Sequence, residues 1–252
     1  MNADRAEASF WAAYLRNRNV DDGSAEDGAV AVAGGYALCA LGTYTQLALA
    51  VGSTRPLTDD DASVLEGFYG RRELPVRLEV RQEVVDRDRA LFDARGYELA
   101  DIRFGMFESA AVPGELPGHV TVRPAGSRPG WVRLVTRAFA EGNEPDAESL
   151  KSAEMSAAAA SRLFVAEVDG VPAGAGAVGI AGEVAVLYSG AVLPQFRGRG
   201  VHRALLRERV AFGALHGAAR AAMKAVDGSP AAHSAQRAGF ERTMTLRRLR
   251  RD

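Results

Sequence analysis

The stretch Leu193-Pro194-Gln195-Phe196-Arg197-Gly198-Arg199-Gly200-Val201 decides the fold of this chain. Apolar residues 183–193 lead into it and an amphipathic segment, 201–216, follows it, which predicts a strand, a turn and a helix in succession. The two glycines allow a tight turn and a close approach of the backbone to a ligand. The first helical amides lack intrahelical partners and lie at the positive end of the helix dipole. With two arginines at its rim, the turn is predicted to bind an anion, and a diphosphate suits it best.

The composition is typical of a globular protein with one large domain or two of ordinary size. The chain has 252 residues, 47% hydrophobic and 25% charged, with a net charge of −1. A charge so near zero argues against a general nucleic-acid binder. The arginines near the C-terminus are therefore interpreted as a solvated strand face and tail: Arg242, Arg247, Arg248, Arg250 and Arg251. Cys39 is the only cysteine and the four histidines lack ligand spacing, so neither a disulfide within the chain nor a metal site is expected.

One uncharged segment, residues 29–54, is long enough to cross a bilayer. Gly34-Gly35 and several polar residues interrupt it, which favours a turn between buried strands. Residues 1–18 mix charged and apolar residues at helical spacing, unlike a secretory signal. We therefore expect a cytoplasmic protein with neither a membrane nor a nucleic-acid partner.

Prolines and glycines cluster between residues 109 and 130, which predicts a break in the chain around one short strand, 119–123. Beyond the break, periodicity and turn residues predict an ordered series of elements. These are helices over 131–140 and 146–160, a hairpin of 163–168 and 171–180 around Asp169-Gly170, strand 183–193, helix 201–216, strand 219–226, helix 229–238 and strand 241–249.

This order, with Gln195-x-x-Gly198-x-Gly200 after its fourth strand and Ala238-Gly239-Phe240 before its last, resembles the GNAT superfamily of acetyl-CoA-dependent N-acetyltransferases. The resemblance covers residues 118–250 and implies an α+β fold with a mixed sheet. In that family the turn amides hold the coenzyme A pyrophosphate, and a splayed fourth strand binds the pantetheine arm and the acetyl carbonyl. It implies that acetyl-CoA lies along Ala191, Val192 and Leu193, with its pyrophosphate at Arg197, Gly198, Arg199, Gly200, Val201 and His202.

The first half of the chain repeats part of this order. The predicted order is strand 44–52, helix 58–69, strand 75–80 and helix 87–95, followed by Arg95-Gly96-Tyr97-Glu98. In the second half the same order of strand, helix, strand and helix is followed by Ala238-Gly239-Phe240-Glu241. We therefore predict a degenerate GNAT-like domain over 1–115 and an acetyltransferase domain over 116–252. The turn of the first copy reads Arg55-Pro56-Leu57-Thr58-Asp59-Asp60-Asp61, in which Thr58 and Asp61 form a capping box. Its carboxylates would repel a diphosphate, so one coenzyme site per chain is expected.

A competing motif lies at residues 174–179, where Gly-Ala-Gly-Ala-Val-Gly fits the dinucleotide-binding pattern G-x-G-x-x-G. A strand rather than a helix follows it. About twenty residues on, where an acidic residue should meet the ribose, stands Arg199. Small residues packed within a strand explain the segment better.

Direct acetyl transfer to an amine needs an oxyanion donor and a general base. The backbone N–H of Val192 or Leu193 is the predicted donor, because it lies where the fourth strand splays. The base is expected near the open end of the second to fourth strands of the second half, where Glu183 and Glu167 are the carboxylates, although each also fits a solvated edge position. The acceptor is expected to be a primary amine of a small molecule or peptide, without a metal.

The leaving-group acid departs from the family pattern. Many members carry a tyrosine four residues before the glycine of Gly-Phe, where this chain has Ala235. The thiolate could leave without help, another hydroxyl such as Tyr188 or Ser234 could serve, or the protein could bind acetyl-CoA as a non-catalytic sensor. Small residues at 191 and 192 also leave open a longer acyl donor.

Overall fold

The structure, a computed structural model, describes residues 1–22, 27–110, 114 and 118–252. The chain divides into two compact units, unit 1 formed by Met1–Met106 with Thr243–Asp252, and unit 2 by Phe107–Arg242. In each unit helices cover a sheet with both parallel and antiparallel neighbours. The predicted α+β class is confirmed.

Unit 1 begins with a helix and an antiparallel meander, and continues with the strand–helix–strand order predicted for the first half. Its elements are α1 (Ala3–Asp22), β1 (Gly28–Val32), β2 (Gly35–Cys39), β3 (Gln46–Leu49), α2 (Asp59–Gly70), β4 (Val76–Arg81), α3 (Gln82–Arg87), α4 (Arg89–Ala94), β5 (Glu98–Ser109) and the C-terminal β11 (Glu241–Arg251). Its strand order is β1-β2-β3-β4-β11-β5, with β3 and β4 parallel.

The uncharged segment forms buried strands joined by the predicted turn. Ala33 and Gly34 both have positive φ, 45° and 89°, between β1 and β2. Gly35 follows in close contact with β3, since a Cβ there would lie 2.2 Å from the Leu49 carbonyl oxygen. Across the described part of the chain, no helix is long and apolar enough to cross a membrane.

Unit 2 carries the second series of predicted elements. They are β6 (Val120–Pro124), α5 (Arg128–Phe139), α6 (Ala147–Ala159), β7 (Arg162–Val168), β8 (Val171–Ala181), β9 (Val184–Val192), a short 3-10 turn (Pro194–Phe196), α7 (Val201–Leu215), β10 (Arg220–Val226) and α8 (Pro230–Arg237). The strand order is β10-β9-β8-β7-β6, and β9 pairs with β10 in parallel but with β8 in antiparallel orientation. Every element that the sequence predicts here forms within a few residues of its predicted bounds.

Helices cover both faces of the unit 2 sheet. Trp131 and Val135 of α5 pack with Ala177 of β8, together with α6. Val178, the next residue of β8, packs with Leu205 of α7 instead. Because successive side chains of a strand point to opposite faces, α5 and α6 lie on one face and α7 on the other.

The dinucleotide-like segment lies inside β8, and β9 follows it directly. A Cβ at Gly174 would lie 2.7 Å from the Ala191 carbonyl oxygen, and one at Gly176 would lie 3.0 Å from Cζ of Arg209. The glycines therefore allow close packing, as predicted. A dinucleotide-binding turn would be followed by a helix, whereas a strand follows this segment.

The two units differ in their bounds from the predicted domains, 1–115 and 116–252. β11 pairs with β4 from Leu246↔Arg81 to Arg251↔Val76, and Leu249 joins the core of unit 1. Order along the chain assigns a terminal strand to the domain just before it, whereas this strand is placed by a long-range pairing. Arg248 of this strand forms an ion pair with the buried Glu79 of β4 at 3.1 Å, also within unit 1.

Candidate functional site

Strand β9 leaves its parallel neighbour part-way along its length. The paired residues of β9 and β10 run from Val184↔Arg220 to Leu187↔Met223 and end there. Its pairing with β8 continues to Val192↔Gly174. The last residues of β9 therefore keep one neighbouring strand and turn their other edge towards the opening between β9 and β10.

A β-bulge lies where the strands separate. Ala177 pairs with Tyr188 and Ala175 with Ala191, so Ser189 and Gly190 together face the single residue Gly176. Ser189 adopts a φ of 48°. A bulge of this kind bends the strand and increases its twist, which directs the end of β9 away from β10.

The predicted glycine-arginine turn follows β9. Gly198 and Gly200 have φ values of 77° and 82°, in the left-handed region that glycine favours. Gly200 is the N-cap of α7, and no side chain of the described residues caps the helix. The first amides of α7 are thus available to an anion at the positive end of the helix.

The turn opens into a cavity of about 720 Å³ within unit 2. Residues from the end of β9, the turn, the start of α7, the end of α5 and both ends of α8 line it, together with the residue just before β6. They are His119, Ala138, Phe139, Glu141, Gly190, Ala191, Val192, Phe196, Arg197, Gly198, Arg199, Gly200, Val201, His202, Arg203, Ser229, Pro230, Ala231, Ser234 and Arg237. Strand edge, amide turn and cavity form one continuous surface.

Eight of the nine residues predicted to hold the coenzyme line this cavity, and Leu193 does not. The N–H of Leu193 donates to the Ala173 carbonyl at 2.9 Å, and its side chain is buried beside α5 and α6. Leu193 is therefore excluded as an oxyanion donor. Because backbone groups alternate in direction along a strand, the N–H and C=O of Val192 point to the open edge. Consistent with this, the Val192 carbonyl accepts from Nε of Arg197 at 3.3 Å.

The predicted catalytic residues lie outside the cavity lining. Glu183 is exposed in the turn before β9, and the whole strand separates it from the glycine turn. Glu167 is ion-paired with Arg123, whose Nε lies 2.9 Å from Oε1. The Tyr188 hydroxyl donates to the Ser156 carbonyl at 3.1 Å, on the side of α6. Strand membership alone suggested these residues, and it does not specify which end or face they occupy.

The carboxylate that does line the cavity, among the described residues, is Glu141. It follows α5 with a φ of 54° and binds Arg197 through two contacts, Oε2 to Nη1 at 2.6 Å and Oε1 to Nη2 at 2.9 Å. The hydrogen bond from Arg197 lowers the pKa of Glu141. Sequence reasoning missed this residue because it belongs to a loop without a motif.

His202 and Ser234 contact each other at the mouth of the cavity. Nδ1 of His202 lies 2.9 Å from Oγ of Ser234. Burial, together with the charges of Arg209 and Arg237, lowers the pKa of His202 to about 3. His202 is therefore neutral near pH 7, so it can offer a hydrogen bond but no positive charge to the cavity. Ala235, where the family has tyrosine, is fully buried.

The corresponding turn of unit 1 is occupied by its own carboxylates. The Leu57 N–H donates to Oδ2 of Asp88 at 3.1 Å, and the Thr58 N–H donates to Oδ2 of Asp61 at 2.9 Å. The hydroxyl of Thr58 accepts in turn from the Asp61 N–H, which confirms the predicted capping box. Arg55 lowers the pKa of Asp61 to about 2, so this carboxylate stays charged. Three amides at the start of α2, those of Leu57, Thr58 and Asp61, are thus satisfied internally in unit 1.

Comparisons with known proteins agree with the fold. Residues 128–240 match the Acetyltransferase (GNAT) family. The structure is similar to a GCN5-related N-acetyltransferase from Kribbella flavida, with a TM-score of 0.67 and 16% identity, covering 100% of this chain and 96% of that chain. It is also similar to a GCN5-related N-acetyltransferase from Sphaerobacter thermophilus (TM-score 0.57, 17% identity, 76% of this chain and 66% of that chain). A tandem GNAT protein from the clavulanic acid biosynthesis pathway has a TM-score of 0.56 and 14% identity, over 80% of this chain and 72% of that chain. No curated protein matches the sequence.

Residues 128–240 thus match the model of an acetyltransferase family, and the chain has the GNAT fold. The match supports an acyltransferase that uses an acyl-coenzyme A donor. In the described ranges, no group of His, Cys, Asp and Glu is arranged to hold a metal ion.

Proposed function

We propose that this protein is an acetyl-CoA-dependent N-acetyltransferase that moves an acetyl group directly to a primary amine of a small molecule or peptide. The observation that carries the proposal is the uncapped amide turn at Gly198–Gly200, which continues into the open edge of β9 and a cavity of about 720 Å³. A diphosphate at the turn places the pantetheine arm along Ala191 and Val192. The acyl group then lies where β9 and β10 separate.

In this arrangement the Val192 N–H stabilises the tetrahedral oxyanion, since it points to the open edge of β9. Glu141 is the proposed acceptor-side carboxylate, which receives the amine proton directly or through a water molecule. Its partner Arg197 is shared between Glu141 and the region of the turn where the diphosphate is proposed to bind. Diphosphate binding would therefore draw Arg197 towards the turn and release Glu141 for the amine.

For unit 1 we propose a degenerate copy without coenzyme binding, so that each chain binds one coenzyme molecule. The support is chemical: Asp88 and Asp61 already accept the amide hydrogens of Leu57 and Thr58. A diphosphate brought to this position would meet two carboxylates and few free donors.

Binding is tested with a pair of matched variants. Gly198→Asp introduces a carboxylate at the amide turn, whereas Gly170→Asp introduces one in the hairpin between β7 and β8. Both glycines have positive φ, 77° and 80°, and a Cβ at either would meet no atom within 4 Å, so backbone strain is matched. Calorimetry should show acetyl-CoA binding to the wild type and Gly170→Asp but not to Gly198→Asp. Equal binding by both variants would contradict the proposed site.

Transfer is tested by coenzyme A release with a panel of amino acids, polyamines, amino sugars and N-terminal peptides. Turnover with one class identifies the acceptor and supports the enzyme. The second candidate is a non-catalytic acetyl-CoA sensor, which the buried Ala235 in place of a tyrosine favours. Tight binding without turnover across the panel would support the sensor and contradict the transferase.

A further inference from the structure

Arg209 of α7 carries a buried charge and has no role in the acetyl transfer proposed above. Its side chain is 2% exposed. Nε donates to the Leu205 carbonyl at 2.9 Å, and Nη1 donates to the carbonyls of Ala177 and Tyr188 at 3.4 and 3.3 Å. In the part of the chain that the structure describes, no carboxylate pairs with it. Burial lowers its pKa to about 10, so the guanidinium stays protonated near pH 7.

The guanidinium lies directly against the bulge of β9. A Cβ on Gly176 would lie 3.0 Å from Cζ, and a Cβ on Gly190 would lie 3.1 Å from Nη2. The two glycines that face each other at the bulge therefore leave the space that the cation occupies. An apolar side chain would fill this space without the desolvation of a charge, so packing alone does not explain an arginine here.

Gly190 also lines the cavity, together with Ala191 and Val192. Nη2 of Arg209 thus lies against a residue without a side chain that itself borders the cavity. The hydrogen bonds of Arg209 use Nε and Nη1, which leaves Nη2 on the side of Gly190. Charges act strongly across such a short distance when protein rather than water lies between them.

We propose that Arg209 stabilises the coenzyme A thiolate as it leaves, in place of the acid that position 235 lacks. The inference rests on the proposed function. The amine nitrogen attacks the thioester carbonyl and forms the C–N bond; collapse of the tetrahedral intermediate breaks the C–S bond, and the electron pair leaves on sulfur. The amine proton goes to Glu141 or water, and Arg209 keeps its own proton throughout. A thiolate needs no proton to leave when a fixed positive charge compensates it.

The bound thiol provides a readout that needs no acceptor. Coenzyme A is bound to the protein, and its thiolate is titrated by ultraviolet absorbance. Other charged groups line the same cavity, namely Arg197, Arg199, Arg203, Arg237 and Glu141, with neutral His202. The contribution of Arg209 is therefore taken as a difference between variants that leave all of these in place.

Four variants separate charge from shape. Arg209→Lys keeps a charge, Arg209→Gln keeps an N–H donor without charge, and Arg209→Met removes both. Trp131→Phe is the matched control, because the indole Nε1 donates to the Gly176 carbonyl at 3.3 Å from the opposite face of the bulge and carries no charge. Arg209→Gln serves where Arg209→Met fails to fold.

The bound thiol in Arg209→Gln and Arg209→Met is expected to have a pKa at least about one pH unit above the wild type, which is tenfold less thiolate at a given pH. Arg209→Lys and Trp131→Phe should stay near the wild type. An unshifted thiol in the neutral variants would overturn the proposal, as would an equal shift in Trp131→Phe, which would assign the effect to the shape of the bulge. A wild-type bound thiol that titrates like free coenzyme A would also overturn it. If the wild type did not bind coenzyme A at all, the proposed function itself would be contradicted.

Discussion

The close packing of Gly176 against Arg209 makes a quantitative prediction for Gly176→Ala. The added methyl would lie 3.0 Å from Cζ and 3.1 Å from Nε and Nη1 of Arg209. The guanidinium cannot yield freely, because Nε and Nη1 are held by three carbonyls, those of Leu205, Ala177 and Tyr188. Overpacking of this kind costs about 1–3 kcal/mol, so we expect unit 2 to lose that much of its free energy of unfolding.

The assay uses the two tryptophans of the chain, Trp11 in unit 1 and Trp131 in unit 2. In a Trp11→Phe background, fluorescence during urea unfolding reports unit 2 alone. Gly176→Ala is measured with Arg209 in place and again in an Arg209→Met background, where a flexible side chain can move aside. The loss of unfolding free energy caused by Gly176→Ala should be smaller in the Arg209→Met background than with Arg209 in place, by at least about 1 kcal/mol, as expected for residues in contact. An unchanged stability of Gly176→Ala, or an equal loss in both backgrounds, would refute the packing argument.

Three further predictions concern charge. Glu141→Gln removes the carboxylate that holds Arg197, so acetyl-CoA should bind up to about fivefold more tightly by calorimetry while transfer slows; weaker binding would contradict this. His202 has a pKa of about 3 in the folded chain against about 6.5 unfolded, so the unfolded state takes up more protons between these values. The free energy of unfolding of unit 2 should therefore fall on acidification between these two pKa values, by about 1.4 kcal/mol per pH unit. Urea titrations of His202→Gln at several pH values should lack this dependence of the unfolding free energy on pH. An identical dependence in the variant would exclude His202 as its source. Asp88→Ala leaves the buried Leu57 N–H without its acceptor and should lower the free energy of unfolding of unit 1 by about 1–3 kcal/mol. Trp11 fluorescence during unfolding measures this loss. No loss would mean that the turn does not depend on its carboxylate.

Local signals in the sequence predicted most of the fold. The run 183–193, the glycine-arginine turn and the amphipathic segment 201–216 correspond to β9, the turn and α7, because alternation, positive-φ glycines and helical periodicity all act within a few residues. The capping box of Thr58 and Asp61 is local in the same sense. The pairing of β11 with β4 left no local trace, since it joins residues far apart in the sequence.

The candidate site divides in the same way. The sequence predicted its backbone portion at Ala191, Val192 and residues 197–202, because the glycines and the start of the helix are visible in the turn itself; it also predicted Leu193, which does not line the cavity. Glu183 and Glu167 were chosen by strand membership, whereas Glu141 enters the cavity from a loop after α5. From the sequence, Arg209 looks like a surface residue of an amphipathic helix. In the structure it is buried against two glycines on neighbouring strands, whose missing side chains leave space for the guanidinium.

We propose that the turn at Gly198–Gly200 binds the coenzyme and that unit 1 has no coenzyme site. Native mass spectrometry of the full chain titrated with acetyl-CoA tests both parts together. We expect one acetyl-CoA per chain for the wild type and for Gly170→Asp, and none for Gly198→Asp. Two molecules per chain, or a single molecule that Gly198→Asp still binds, would contradict the account.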